Sequence, residues 1–222
     1  MGFFSSDPMT YIVRLIVIFA ILPIHECAHA YVSYKLGDPT AKRLGRLTIN
    51  PLVHIDIIGA ISLLIAGIGW AKPVPINPSY YRDKKWGMAL SALAGPLANL
   101  LMAIVLLAIA KVFLCFYYIG GLASGILSTL YTIFQLMASI SLSLAVFNLL
   151  PIPPLDGSRI LLVVLPTKLY FQIMKYEQYI MIALFALLFV GVLDGPLGFL
   201  TNAVYSFADW VTSFVPLLFG LR

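Results

Sequence analysis

The stretch Ile24-His25-Glu26-Cys27-Ala28-His29-Ala30 holds the residues whose types and spacing can do chemistry. It is a His-Glu-x-x-His pattern. On a helix His25 and His29 fall one turn apart on one face, with Cβ atoms about 5–6 Å apart. Two imidazoles so placed can share one Zn²⁺, each at about 2.0–2.1 Å. Glu26 then lies beside the metal, where it can take a proton from water. The plainer explanation is an ordinary helix whose polar side chains are satisfied elsewhere. The setting argues against it, because the pattern sits in an apolar run that begins near Met9. An ionisable residue at bilayer depth costs about 2.5–3.5 kcal/mol even on a lenient scale, and here three fall within five positions.

A second stretch, Asn148-Leu149-Leu150-Pro151-Ile152-Pro153-Pro154-Leu155-Asp156-Gly157, supplies what the first lacks. Its prolines end a helix and put Asp156 on irregular backbone, which is tolerated at membrane depth only inside protein or beside a wet cavity. Asp156 offers a third, oxygen ligand and leaves a fourth position for water, as catalytic zinc requires. Asn148 lies eight residues earlier and can hydrogen-bond a developing oxyanion. The alternative for Asp156 is an Asx turn with Gly157.

The elements that position these residues are membrane segments. Of 222 residues, 61% are hydrophobic and 10% charged, against about 25% charged in a soluble domain. The net charge of +5 comes from short loops and reads as membrane orientation, with no nucleic-acid partner. Cys27 and Cys115 are too isolated to form a disulfide framework. The expected fold is an all-α polytopic membrane protein with about five to six membrane segments and short extended segments near the active site. One integral membrane domain, residues 1–222, is expected, with a core at about 9–165 and further membrane segments at about 166–222. Met1 to Thr10 has no basic residue, so no cleavable signal is expected.

The first span runs from about Pro8 to Lys35, and Pro23 is expected to kink it beside the motif. The loop Lys35–His54 is basic, and Arg46–Asn50 alternates weakly enough to suggest a short strand. His54 is either a loop histidine at the interface or a polar neighbour that supports the metal site. Ile55–Trp70 spans 16 residues, about 24 Å as a helix, and carries Gly59, Gly67 and Gly69. It is expected to re-enter rather than cross, which leaves both basic loops, 35–54 and 72–85, on the cytoplasmic side. The prolines of 72–78 make that segment extended, as a plain connector or as an edge against which an unwound substrate can pair. Spans follow at Trp86–Lys111, Ile126–Leu150 and Tyr176–Leu193, and Pro196–Arg222 either crosses or lies in the interface. Small residues around Ser91, Gly95 and Ala98 allow close helix approach, and Asn99 is expected to form an interhelical hydrogen bond.

The two motifs, with Ala94-Gly95-Pro96-Leu97-Ala98-Asn99 between them, closely resemble the site-2 protease family of intramembrane zinc metalloproteases, in its compact prokaryotic form. The resemblance covers about residues 9–165. It implies zinc held by His25, His29 and Asp156, with Glu26 as catalytic acid/base and Asn148 steadying the substrate or oxyanion. It implies hydrolysis of peptide bonds within or near transmembrane segments of other membrane proteins, so the partners are transmembrane substrates and the bilayer. The expected location is a prokaryotic cell (inner) membrane with the active site toward the cytoplasm. Larger members carry a PDZ domain, for which this chain has no room, and many have a span ahead of the motif. A membrane metal carrier, or a non-proteolytic regulator that binds membrane helices, would use the same ligands; only hydrolysis needs Glu26.

Overall fold

The computed structural model describes residues 8–66, 69–120 and 124–221, with side chains described for all but Ala66 and Ser124. Gly67, one of the three glycines of the 55–70 segment, lies outside them, as do residues 1–7. Among the described residues the architecture is all-helical, and the extended backbone makes one isolated bridge rather than a sheet.

Helix α1 spans Pro8–Lys35 and carries the motif in its second half. Pro23 does not break it. The helix widens into a π turn at Val17–Ile21, where the Leu22 N–H donates to the Val17 carbonyl. Proline has no N–H to give residue 19, and the wider turn absorbs the mismatch. Helix α2 is Ile57–Ala66, capped by Asp56, whose Oδ1 accepts the Gly59 N–H at 2.8 Å. Helix α3 runs unbroken over Lys84–Ile119 through Pro96, with Asp83 capping its first turn. Helix α4 is Ser124–Leu149, and α5, Gly157–Val164, follows the proline-rich turn. Helices α6 (Thr167–Met174), α7 (Glu177–Val190), α8 (Asp194–Val211) and α9 (Phe214–Leu218) complete the chain.

Among the described residues three helices, α1, α3 and α4, are long and apolar enough to cross a membrane; α6 and α7, bent by 62°, add a fourth if they form one span. Five to six membrane segments were expected, a short re-entrant one among them, and the stretches that fall short of a candidate span do so for physical reasons. Helix α7 has 14 residues, about 21 Å, too short to span alone. Helix α8 interleaves Thr201, Asn202, Ser206 and Asp209 with its apolar residues. The 55–70 segment returns to its starting point: Ile55 bridges Ala71 antiparallel, and the Lys72 N–H donates to the His54 carbonyl at 2.8 Å. Both ends therefore lie at one face, as a re-entrant segment requires. Arg14, buried in α1, pins it by donating to the Leu64 carbonyl at 2.7 Å.

Small and large residues interdigitate in the core between α3 and α4. Ala103, Leu106 and Leu107 pack against Ala138 and Leu142, and Ala208 of α8 closes the cluster. Without a hydrophobic drive between helices in lipid, such close packing supplies the association.

The two basic loops pack together on a buried carboxylate, Asp38. Its Oδ2 accepts the Asn77 N–H at 2.7 Å and the Ser33 hydroxyl at 3.1 Å, and its Oδ1 accepts the Thr40 N–H at 2.9 Å. Burial alone would raise the Asp38 pKa; the hydrogen bonds from Thr40, Asn77 and Ser33 more than reverse this and hold it below the usual carboxylate value. A depressed carboxylate pKa stabilises the fold above the unfolded value of about 3.9, and the contribution is lost as pH falls through the folded one. Asp38→Ala should lower stability by about 1–3 kcal/mol at neutral pH. Thermal midpoints against pH check this, and the gap from wild type should shrink below about pH 4.

Candidate active site

The π turn and the following helical turns of α1 set His25 and His29 on one buried face. Opposite them the proline-rich turn delivers Asp156 to the position just before α5. His25 Nε2 and His29 Nε2 lie 3.0 Å apart, and Asp156 Oδ2 lies 3.2 Å from each. Ligands at about 2.0–2.1 Å from one tetrahedral metal stand about 3.3–3.4 Å from each other. The observed triangle is therefore close to the one a zinc ion needs. The Asp156 side chain is 24% exposed, which leaves the cluster open on one side.

Hydrogen bonding shows how these atoms could serve a cation. His29 Nδ1 sits 2.7 Å from the Ser91 carbonyl of α3, which can only accept. Nδ1 thus carries the proton, and a neutral ring presents a bare lone pair at Nε2. Asp156 Oδ2 is buried and forms no hydrogen bond, and its side chain does not cap α5. The Asx-turn alternative for Asp156 is not what the fold uses. Lone pairs at 3.0–3.2 Å repel unless a proton or a metal cation lies between them. His25, His29 and Asp156 can hold a metal ion.

Two glycines make the approach possible. A Cβ at Gly95 would lie 2.3 Å from His29 Nε2 and 2.6 Å from His25 Nε2. One at Gly157 would lie 2.3 Å from the Leu149 carbonyl, so the turn could not fold back on the end of α4. The small residues of α3, expected to admit another helix, admit two imidazoles.

Glu26 is buried beside the cluster, and its Oε2 accepts the Val74 N–H at 3.0 Å. Val74 belongs to the extended 72–77 segment, which therefore lies against the site as expected, though as irregular backbone. Arg46 holds it by donating to the Lys72 carbonyl and, at 3.3 Å, to the Pro73 carbonyl. Arg46 is thus a buried clamp and Arg46–Asn50 forms no strand. Sequence reading missed this role, since one arginine in a basic loop carries no sign of it.

Two other candidates fall elsewhere. His54 is buried with Nε2 on the Thr48 carbonyl at 2.8 Å, and it anchors the loop without joining the metal cluster. Asn148 donates its Nδ2 to the Leu144 carbonyl of its own helix at 2.9 Å, and none of its described hydrogen bonds reaches the three ligands. Asn99 does take part in an interhelical hydrogen bond, through its backbone carbonyl, which accepts the Ser141 hydroxyl at 2.8 Å.

Apolar helices around a three-residue metal cluster with an adjacent carboxylate define an integral membrane protein of metal-dependent type. Residues 13–191 match peptidase family M50, and the chain belongs to this family, that of the site-2 proteases. It is 39% identical to the "Putative zinc metalloprotease YwhC" of Bacillus subtilis over 189 residues, 85% of this chain and 84% of that one. It is 29% identical over 205 residues to the "Putative zinc metalloprotease Rip2" of Mycobacterium tuberculosis, 86% of this chain and 73% of that one. The "Zinc metalloprotease MJ0392" of Methanocaldococcus jannaschii is 28% identical over 163 residues, 73% of this chain and 37% of that one. No solved structure gives a significant match.

Gly95→Ala tests the packing argument. The added methyl should push the imidazoles apart and remove stoichiometric zinc, read by elemental analysis, while circular dichroism keeps the helical content of wild type.

Proposed function

We propose that this protein is an intramembrane zinc endopeptidase, cleaving peptide bonds within or near the transmembrane segments of other membrane proteins. The convergence of His25, His29 and Asp156 with Glu26 beside them carries the reading. In it, the three hold zinc through Nε2, Nε2 and Oδ2. When bound, zinc supplies Lewis-acid polarisation of the scissile carbonyl and acidification of water. Glu26 accepts the proton of the attacking water and returns it to the leaving amine. Val74, held by Arg46, keeps the Glu26 carboxylate oriented through its N–H. Asn148 turns from its own helix to donate to the oxyanion once a substrate is present.

The orientation follows from charge. The loops at 35–54 and 72–85, which contact each other through Asp38 and Arg46, are basic, and the positive-inside tendency puts them in the cytoplasm of a prokaryotic cell. The site lies at their level. A substrate helix must unwind to reach it, and the apolar surroundings favour substrates that already have helix-breaking residues there.

Glu26→Gln separates hydrolysis from metal carriage or regulation. It should retain zinc and lose about 10²–10⁴-fold in the cleavage rate of a transmembrane substrate in detergent. Equal cleavage by both forms, or a wild type that binds no zinc, would sink the proposal. Asn148→Ala should also keep zinc, and lose about 10²–10³-fold in kcat with little change in KM.

A further inference from the structure

Toward the far end of α3 a cavity of about 140 Å³ opens between α3, α4 and α8. Lys111, Gln135, Tyr205 and Asp209 line it, with Leu107 and Leu114 among its apolar walls. Lys111 follows Gly95 by 16 residues, about 24 Å along the helix. The cavity therefore lies toward the opposite membrane face from the metal cluster. Exposed aromatic side chains mark this level: Trp210 stands next to Asp209, and Tyr117 and Tyr118 lie two turns beyond Lys111. Tyrosine and tryptophan collect where hydrocarbon gives way to headgroups.

The polar groups of the cavity are paired, but incompletely. Lys111 Nζ donates to Asp209 Oδ1 and to the Asp209 carbonyl, each at 2.8 Å. An ammonium has three N–H groups, so one is left over. Gln135 Nε2 donates to the Tyr205 hydroxyl oxygen at 3.3 Å, and no described hydrogen bond uses the hydroxyl proton or Asp209 Oδ2. Lys111 and Tyr205 each have a donor to give, and Asp209 has a charged acceptor. A clasp that only joined helices would close around its ion pair, because association in lipid rests on close packing. The space left open instead approaches the roughly 150 Å³ that holds a benzene-sized molecule.

The charges select the occupant. Lys111 and Asp209 cancel, so the site is neutral as a whole while presenting both signs. An anion alone meets the Asp209 carboxylate, and a cation alone meets the Lys111 ammonium. A group that carries both charges satisfies each. We propose that the cavity binds a phospholipid whose headgroup joins a phosphodiester to a primary ammonium, as in phosphatidylethanolamine. Its phosphate oxygens accept from Lys111 and from the Tyr205 hydroxyl, and its ammonium donates to Asp209 Oδ2. A choline headgroup has no N–H to give, and a glycerol headgroup has no positive charge. The bound lipid bridges α3, α4 and α8, and nothing in its binding depends on metal or on catalysis.

The test is native mass spectrometry of the whole chain in detergent, titrated with dioleoyl phosphatidylethanolamine, phosphatidylcholine or phosphatidylglycerol. Phosphatidylethanolamine should bind saturably and about tenfold more tightly than the other two, as a charge-assisted hydrogen bond predicts. Asp209→Asn should cut its preference over phosphatidylcholine to about threefold or less, a change in selectivity that mere loosening of the helices would not produce. Tyr205→Phe keeps the ring and should weaken phosphatidylethanolamine about 2–10-fold. Equal affinity for the three lipids, or an unchanged preference in Asp209→Asn, overturns the inference. If Asp209→Asn does not fold, Tyr205→Phe decides, and unaltered affinity there overturns it. Water-soluble phosphoethanolamine, which has no chains, should bind far more weakly than the lipid. If it binds as tightly, the cavity serves a free zwitterion and the lipid assignment fails.

Discussion

The site depends on the contact between two imidazoles and a residue without a side chain. Helix α3 reaches His25 and His29 only because position 95 is glycine, since a methyl would stand 2.3 Å from His29 Nε2. That closeness lets the Ser91 carbonyl reach His29 Nδ1, which leaves Nε2 as a lone pair facing His25 and Asp156. A second missing side chain does the same on the other wall. Gly157 lets the proline-rich turn fold onto the Leu149 and Leu150 carbonyls, and the fold-back swings Asp156 toward the histidines. The convergence of these three side chains is a consequence of backbone approach. The histidines and Asp156 supply the polar atoms, and the glycines supply the distance.

Polar groups in apolar surroundings must find partners within the protein, and much of the irregular backbone follows from that need. Arg14 spends its donors inside the fold, on the Leu64 carbonyl of the short re-entrant helix. Arg46 takes the exposed carbonyls of the 72–77 segment, and Asp38 takes the amides that the two basic loops leave unmet. At the far end of α3, Lys111 pairs with Asp209 of α8 at 2.8 Å and ties the C-terminal helices to the core. These contacts fix where the extended segment lies, and so where the Val74 N–H meets Glu26. The chain that runs past Glu26 is therefore held at both ends by side chains outside the motif.

The sequence by itself marked the side chains that could hold a metal and their apolar setting. Ionisable residues are so costly in an apolar run that His25, Glu26, His29 and Asp156 stood out without any structure, and the lengths of the apolar runs marked the three main spans. The segment at 55–70 was legible as too short for a full span, and its two ends meet at the Ile55–Ala71 bridge. What only the tertiary structure decided were the distances and the partners. Sequence spacing places His25 and His29 one turn apart but says nothing of Asp156, which is distant in the chain and needs Gly157 and the turn to arrive. The clamp by Arg46, the loop role of His54 and the unmet amide of Asn99 carry no periodicity or motif, because each is set by which loop or helix packs beside it. Which segments cross is decided in the same way. Composition over a window reports apolarity, whereas crossing also needs an unbroken helix, and breaks such as the 62° bend between α6 and α7 are set by packing.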